Sequence, residues 1–457
     1  MSSQRRRRLL VISFHFPPDG SVGGLRWAGL SKYLARAGWE VHVITAAPAQ
    51  GEPQLSGVHI HVVPRAKTLN DRYASWAQRH RSRSTDPTVA NSEAAARTRP
   101  VGGPSGRLRQ SLAASLVLPD NARGWLWRAA AEARDLLNEH EFNAVVTSGP
   151  PHSSHLVGRL VCIGRSEQHW VDMRDPWAVM DALGTTRTPF DSPLMSWLLP
   201  RLERFVFAGK PRVVCNTAEF AEVIHACYPE LSVAYVSNGV DPERLPTSGF
   251  QKFNQLTVAY AGTLYANRDL SGVVTAMGEV VSRYPQAAGS LKLRIAGTME
   301  GPHAARFWEA VDGAMVRDMV EWRGLVSPAE ALELLGRSHL ALVLAQNQPK
   351  QIPAKLYECV AMGLPTLVIA ESTSSAAREA RRIGAATSEP GDIAGIARVL
   401  ERLLLDQPIA SPTLAAISYA DIAERWDALL RGASDRETER TVRETASAAS
   451  GIGRELR

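Results

Sequence analysis

The chain has only four cysteines in 457 residues, Cys162, Cys215, Cys227 and Cys359, and no two are spaced as a CxxC pair. That scatter excludes a disulfide scaffold and a thiolate zinc site, and it suits a reducing cytosol. Three of the four fall in segments patterned as buried strand or helix. No apolar run approaches the ~20 residues needed to span a bilayer, so a soluble or peripheral protein is expected. Arg5 to Arg8 followed by Leu9 to Phe14 mimics a secretory signal, but the run is short and Pro17-Pro18 ends it without a small-residue cleavage site. It reads as a first strand. Nucleic-acid signatures and zinc-finger spacings are missing too, and a net charge of +6 with pI near 9.2 is modest for this length. No nucleic-acid partner is expected.

What is present is an ordinary globular composition, 45% hydrophobic and 21% charged, in a chain too long for one core. Short β-branched runs alternate with helical patterns, the sequence form of a parallel sheet covered by helices. One series comprises Leu9–Phe14, Val41–Thr45, Val58–Val63, Ala144–Thr147, Trp170–Met173, Arg212–Cys215 and Val233–Val236. A second runs through Leu256–Tyr260, Leu291–Ala296, Val320–Trp322, Leu340–Leu344 and Pro365–Ile369. The expected organisation is α/β with two Rossmann-like domains facing a central cleft. Residues 1–237 form the first, 238–254 a proline-bearing linker and 255–410 the second. A helix within 411–432, with Ile422, Trp426, Leu429 and Leu430 on one side, is expected to pack back on the first domain, before a disordered tail at 433–457.

Residues 77–111 break the rhythm. They are rich in Arg, Ser, Pro and Gly, have almost no large apolar residue, and carry Arg79, Arg81, Arg83, Arg97, Arg99, Arg107 and Arg109. Such a segment cannot bury enough surface to fold. Two readings stand: a solvated insertion, or attachment to an anionic membrane surface at about 1 kcal/mol per arginine.

Chemistry concentrates at strand ends. The most informative stretch is Gln351-Ile352-Pro353-Ala354-Lys355-Leu356-Tyr357-Glu358, closed by Gly363 and Pro365. Pro353 suits a helix start, and residues three apart share a face, so Lys355 and Glu358 point the same way. A lysine beside free backbone N–H groups suits a diphosphate, and a glutamate one turn on can accept both ribose hydroxyls. The alternative is a solvated ion pair. Gly20, Gly23 and Gly24 lack the GxGxxG spacing of a dinucleotide site, yet they allow backbone to approach a phosphate, or simply make a tight turn. Arg268, near a helix start after Ala261-Gly262-Thr263-Leu264, offers a cation for a leaving diphosphate or a partner for Asp269. In the first domain His152 follows one strand and Asp175 the next. Each has an acceptor-binding reading and a structural one.

Taken in order, these pieces resemble the retaining GT-B-fold glycosyltransferases of the family 4 (group 1) type, from Leu9 to about Arg431. The loop Pro17 to Gly24, the run Gly38 to Thr45, Asn238-Gly239-Val240-Asp241, Ala261 to Leu264 and Pro353 to Pro365 carry the resemblance. It implies an enzyme that is cytoplasmic or peripheral at the inner face of the membrane and that moves a sugar from a nucleoside diphosphate sugar to an acceptor hydroxyl with retention. It implies that no metal or other cofactor is needed. By this resemblance Gly23 and Gly24 approach the donor phosphate and Arg268 and Lys355 neutralise the diphosphate. Glu358 holds the ribose, and Thr263, Gln351 and Ile352 complete the donor side. His152 and Asp175 face the acceptor. Two departures stand out: Lys350 replaces the first glutamate of the family's Glu-x7-Glu, and Thr263 stands where an arginine is frequent. They leave one rival open, a catalytically silent scaffold subunit, and the fold shape leaves another, a GT-B-shaped sugar-nucleotide epimerase.

Overall fold

The computed structural model describes residues 7–18, 22–46, 51, 54–66, 119–120, 122–178, 193–245, 249–264, 268–299, 301–409 and 418–432. The basic segment 77–111 and the tail 433–457 lie outside them. The chain forms two compact units, one reaching Asn238 and resuming at Tyr419, the other spanning Gly239 to Ser418.

The first unit is built on seven parallel strands: β1 (Arg8–Ser13), β2 (Glu40–Ala46), β3 (Val58–Val63), β4 (Ala144–Gly149), β5 (Gln168–Met173), β6 (Arg212–Cys215) and β7 (Val233–Tyr235). Their order is β3-β2-β1-β4-β5-β6-β7. Leu9, Leu10, Val11 and Ile12 are all fully buried, as expected of a central strand covered on both faces. One face packs under the helices Arg123–Glu139, Ser153–Val161 and Ala218–Cys227. The other packs under Val22–Arg36 and the C-terminal helix Tyr419–Leu430, where Trp426 meets Trp27 edge-on at 5.0 Å. Trp39 Nε1 donates to Asp427 at 2.6 Å, so the last helix is fastened by a polar bond as well as by its apolar stripe.

The second unit holds six parallel strands: β8 (Leu256–Ala261), β9 (Leu291–Ala296), β10 (Val320–Trp322), β11 (Leu340–Leu344), β12 (Thr366–Ile369) and β13 (Ala386–Ser388). The order is β10-β9-β8-β11-β12-β13. Its faces are covered by Ser271–Arg283, Gly301–Gly313 and Ile393–Leu404 on one side and by Pro328–Gly336, Ala354–Ala361 and Ser375–Arg382 on the other. The stretch read as a linker is bonded to this unit: Lys252 Nζ donates to the carbonyls of Gly336 and Ser338, and Phe253 N to that of Arg337. Cys215 and Cys359 are buried, Cys162 is half-buried and packs against the core of the first unit, and Cys227 is exposed.

Each sheet grows outward from its first strand and then reverses, β1 to β4 in one and β8 to β11 in the other. Loops at the carboxyl ends of these paired strands flank a topological switch point, where open α/β sheets bind ligands.

Candidate functional site

In the second unit the loops after β8, β9 and β10 are fitted backbone to backbone. Gly297 has φ +141°, and a Cβ added there would lie 2.0 Å from the carbonyl oxygen of Gly262, so only glycine can occupy the position. Gly297 N donates to Gly324 O at 2.7 Å, and Trp322 Nε1 to Gly297 O at 2.8 Å. Thr263 is held by its carbonyl, which accepts from Tyr260 Oη, and by its hydroxyl, which accepts from Thr298 Oγ1 at 3.2 Å.

The loop after β8 is tied to the one after β11 by the amide of Gln346, which is nearly buried. Its Oε1 accepts from Asp269 N at 2.8 Å, and its Nε2 donates to Asp269 O at 2.9 Å. This two-way clamp fixes the backbone next to Arg268. The Asp269 carboxylate accepts from Ser271 N and Oγ, capping the helix that follows.

From Gln346 the chain turns through Asn347, which has φ +55° and donates its N–H to Glu371 at 2.8 Å. It then passes Pro349, whose carbonyl accepts from Ser375 N, and enters the helix Ala354–Ala361 with Pro353 as its N-cap. Gly363, at φ +67°, stops that helix. Ile352, Leu356, Tyr357, Cys359 and Val360 are buried, which leaves Lys355 and Glu358 on the accessible face. Their Nζ and Oε2 stand 2.6 Å apart, with the lysine 31% and the glutamate 16% exposed. Gln351 and Lys350 precede this helix, both half-buried. The structure therefore places Thr263, Arg268, Gln351, Ile352, Lys355 and Glu358 at one end of one sheet, on the loop after β8 and on the loop and helix after β11. The structure shows Lys355 and Glu358 as an ion pair, and a salt bridge this accessible costs little to open.

In the first unit, Arg174 organises the equivalent end. Its Nε donates to Gly149 O at 3.2 Å and its Nη2 to Pro150 O at 2.6 Å. Its guanidinium also approaches Gly23, where an added Cβ would stand 3.1 Å from Nη1. Gly24 is required locally, because a Cβ there would sit 2.9 Å from the backbone of Phe16. Arg174 thus draws together the loops after β1, β4 and β5. Burial lowers its pKa, and Asp175 and Asp172 oppose that shift.

His152, just before the helix Ser153–Val161, stacks on Trp177 with ring centroids 5.0 Å apart and planes within 11°. Its pKa is pushed down to about 3 by burial first and by Arg174 second, so the ring is neutral at pH 7. His155, fully buried behind it, is held well below its usual range by burial, and its Nδ1 bonds Thr147 Oγ1 at 2.9 Å. Thr147 also bonds His169 Nε2 at 3.1 Å. Asp175 is half-buried next to Arg174.

Sequence reasoning gave no role to three groups that build this end. Arg174 was passed over within its own motif. Arg26 and Asp172, 2% and 0% exposed, form a buried pair at 3.1 Å. Arg26 also donates to the carbonyls of Val236 and Ser237, and Trp27 Nε1 donates to Asp172 at 2.8 Å. Asp120 caps the His152 helix from 33 residues away, accepting from Ser153 N at 2.7 Å and Ser153 Oγ at 2.6 Å. Its chain position gave no signal. An arginine and an aspartate that both fall in strongly apolar runs were the available hint for the buried pair.

Residues 247–421 match the family described as glycosyl transferases group 1. A search of curated proteins finds no match. Among solved structures the chain is similar to sucrose-phosphate synthase from Thermosynechococcus elongatus, with TM-score 0.56, 13% identity, and coverage of 97% of this chain and 100% of that one. It is also similar to HepE from Anabaena, solved with UDP and glucose, at TM-score 0.54 and 11% identity over 97% and 100% of the chains. WaaG, a glycosyltransferase involved in lipopolysaccharide biosynthesis, gives TM-score 0.54 and 16% identity over 93% and 98%. At such identities the structural likeness is one of fold, and it matches the two doubly wound parallel sheets. Residues 247–421 thus carry the sequence pattern of the group 1 glycosyl transferases, on a chain whose fold is GT-B.

Proposed function

We propose that the protein is a retaining transferase of the family 4 type that takes its sugar from a nucleoside diphosphate sugar bound on the second unit. The observation that carries this reading is the Gln346–Asp269 clamp. It joins the loop bearing Arg268 to the loop leading into Lys355 and Glu358, so two cations and a diol-binding carboxylate share one switch point. HepE, similar in fold, has been solved with UDP and with UDP-glucose, which supports a nucleotide-sugar donor here.

In this reading the diphosphate draws Lys355 away from Glu358, which becomes free to accept the ribose hydroxyls. Arg268, Lys355 and backbone N–H groups at the start of the helix Ala354–Ala361 stabilise the negative charge that grows on the departing diphosphate. The departing phosphate itself takes the proton of the acceptor hydroxyl on the same face, so configuration is retained without a strong protein base. Lys350, where the family has a glutamate, offers a hydrogen-bond donor to the sugar in place of a carboxylate. In the first unit, neutral His152 and the Asp175 carboxylate offer one imidazole and one acceptor oxygen to a hydroxyl-bearing acceptor.

A thermal-shift screen with UDP-, GDP-, ADP- and dTDP-sugars tests the donor class. A ligand at 100 times its Kd adds about 2.7 kcal/mol of stability, readily visible as a rise in Tm. Absence of a shift with every nucleotide would count against the reading.

A further inference from the structure

The geometry points to a divalent transition-metal site of the zinc class on the first unit, formed by Glu40, His42 and His59 and lying apart from the switch point. One ligand atom from each of the three lies within 4.8 Å of the others. The arrangement follows from strand register. β2 and β3 pair in parallel with His42 opposite His59, and residues two apart on a strand share a face. Glu40, His42, His59 and His61 therefore project from the same side of two adjacent strands. His42 Nε2 stands 3.3 Å from Glu40 Oε1, about the ligand–ligand edge of a tetrahedron with ~2.0–2.1 Å bonds. His42 and His59 stack with centroids 4.6 Å apart, so a small ring rotation brings the third ligand in.

The surroundings are built as the outer layer of such a site. His42 Nδ1 bonds His61 Nε2 at 3.1 Å, and His61 Nδ1 faces Glu132 Oε1 at 3.3 Å. A chain of hydrogen-bonded groups, Glu132, His61 and His42, thus holds the direction of the buried ligand, the usual device behind a metal-bound histidine. Arg8 Nε donates to Glu40 at 2.8 Å and aims the carboxylate. His59 is exposed on an edge strand, so an ion has an entry path. Two imidazoles and one carboxylate leave a fourth position for water, a donor set that suits Zn2+ over Mg2+ or Ca2+. His42 lies four residues before the carboxyl end of β2, about 13 Å along the strand, so the ion would fasten β3 to β2 rather than join the transfer chemistry.

The test uses the untagged full-length chain, stripped with chelator and then equilibrated with ZnCl2. We expect one zinc per chain by mass spectrometry of the metal, a zinc-dependent rise in Tm, and a visible Co2+ band of tetrahedral intensity. His59→Ala, which removes an exposed side chain and should fold, is expected to lose at least tenfold in zinc affinity and all of the Tm rise. His61→Phe keeps the ring and is expected to lose about 10- to 100-fold. His225→Ala, an exposed histidine elsewhere in the unit, should change neither. Substoichiometric zinc, or zinc bound equally by the His59→Ala and unsubstituted chains, would overturn the site.

Discussion

Replacing Lys355 by alanine separates the two roles its ammonium can have. As a partner of Glu358 it belongs to an ion pair with both side chains partly solvated, and pairs of that kind contribute ~0–1 kcal/mol to folding. As a donor to a diphosphate it makes charged hydrogen bonds worth about 1.5 to 3 kcal/mol. At about 1.4 kcal/mol per factor of ten, donor affinity should fall by about 10- to 100-fold while Tm scarcely moves. Glu358→Gln should do less, since an amide oxygen still accepts from a ribose hydroxyl and Lys355 remains. Calorimetric titration of both folded variants with the nucleoside diphosphate that stabilises the unsubstituted chain is the assay. If both variants bind as tightly as the parent, the helix Ala354–Ala361 is not part of the donor site.

Other outcomes follow from the same structure. His152→Ala and Asp175→Asn should each cut transfer by about 10²-fold with donor affinity unchanged, as expected of positioned polar groups, and equal losses of turnover and donor affinity would argue otherwise. Gly297→Ala should destabilise the chain by about 3 kcal/mol or more in denaturant titration, because a methyl cannot fit 2.0 Å from Gly262 O, whereas Gly363→Ala, with open space around it, should cost about 1 kcal/mol for its φ alone. Stability should fall on acidification. His169, 5% exposed, has its pKa pushed from 6.5 to about 3 by burial, so the unfolded chain binds its proton first and the folded state loses ground as pH drops below 6.5. At pH 5 that is about 1.36 × 1.5, or ~2 kcal/mol, for this histidine, and His155 adds in the same direction. A His169→Gln chain with an unchanged slope of stability between pH 7 and 5 would contradict the assignment.

Much of the architecture was readable because strands covered on both faces are continuous apolar runs, and Leu9 to Ile12 or Leu340 to Leu344 allow no other place. Strand β13 escaped because Ala-Thr-Ser carries no such signal. The helix bearing Lys355 and Glu358 could be read locally, from spacing three and a closing glycine. Arg174 and Gln346 could not, since each acts on backbone atoms 24 or 77 residues away and nothing local marks it. The same limit hid the histidines of β2 and β3, whose meeting depends on parallel register.

Time-resolved proton NMR of donor turnover reads out both transfer from a nucleoside diphosphate sugar and the retention of configuration. Incubated with the α-linked nucleotide sugar that stabilises it, the protein should first release sugar, or form product, in the α configuration, with the β anomer appearing only as free sugar mutarotates. Initial release of the β anomer, or no turnover of any stabilising donor, would contradict the account.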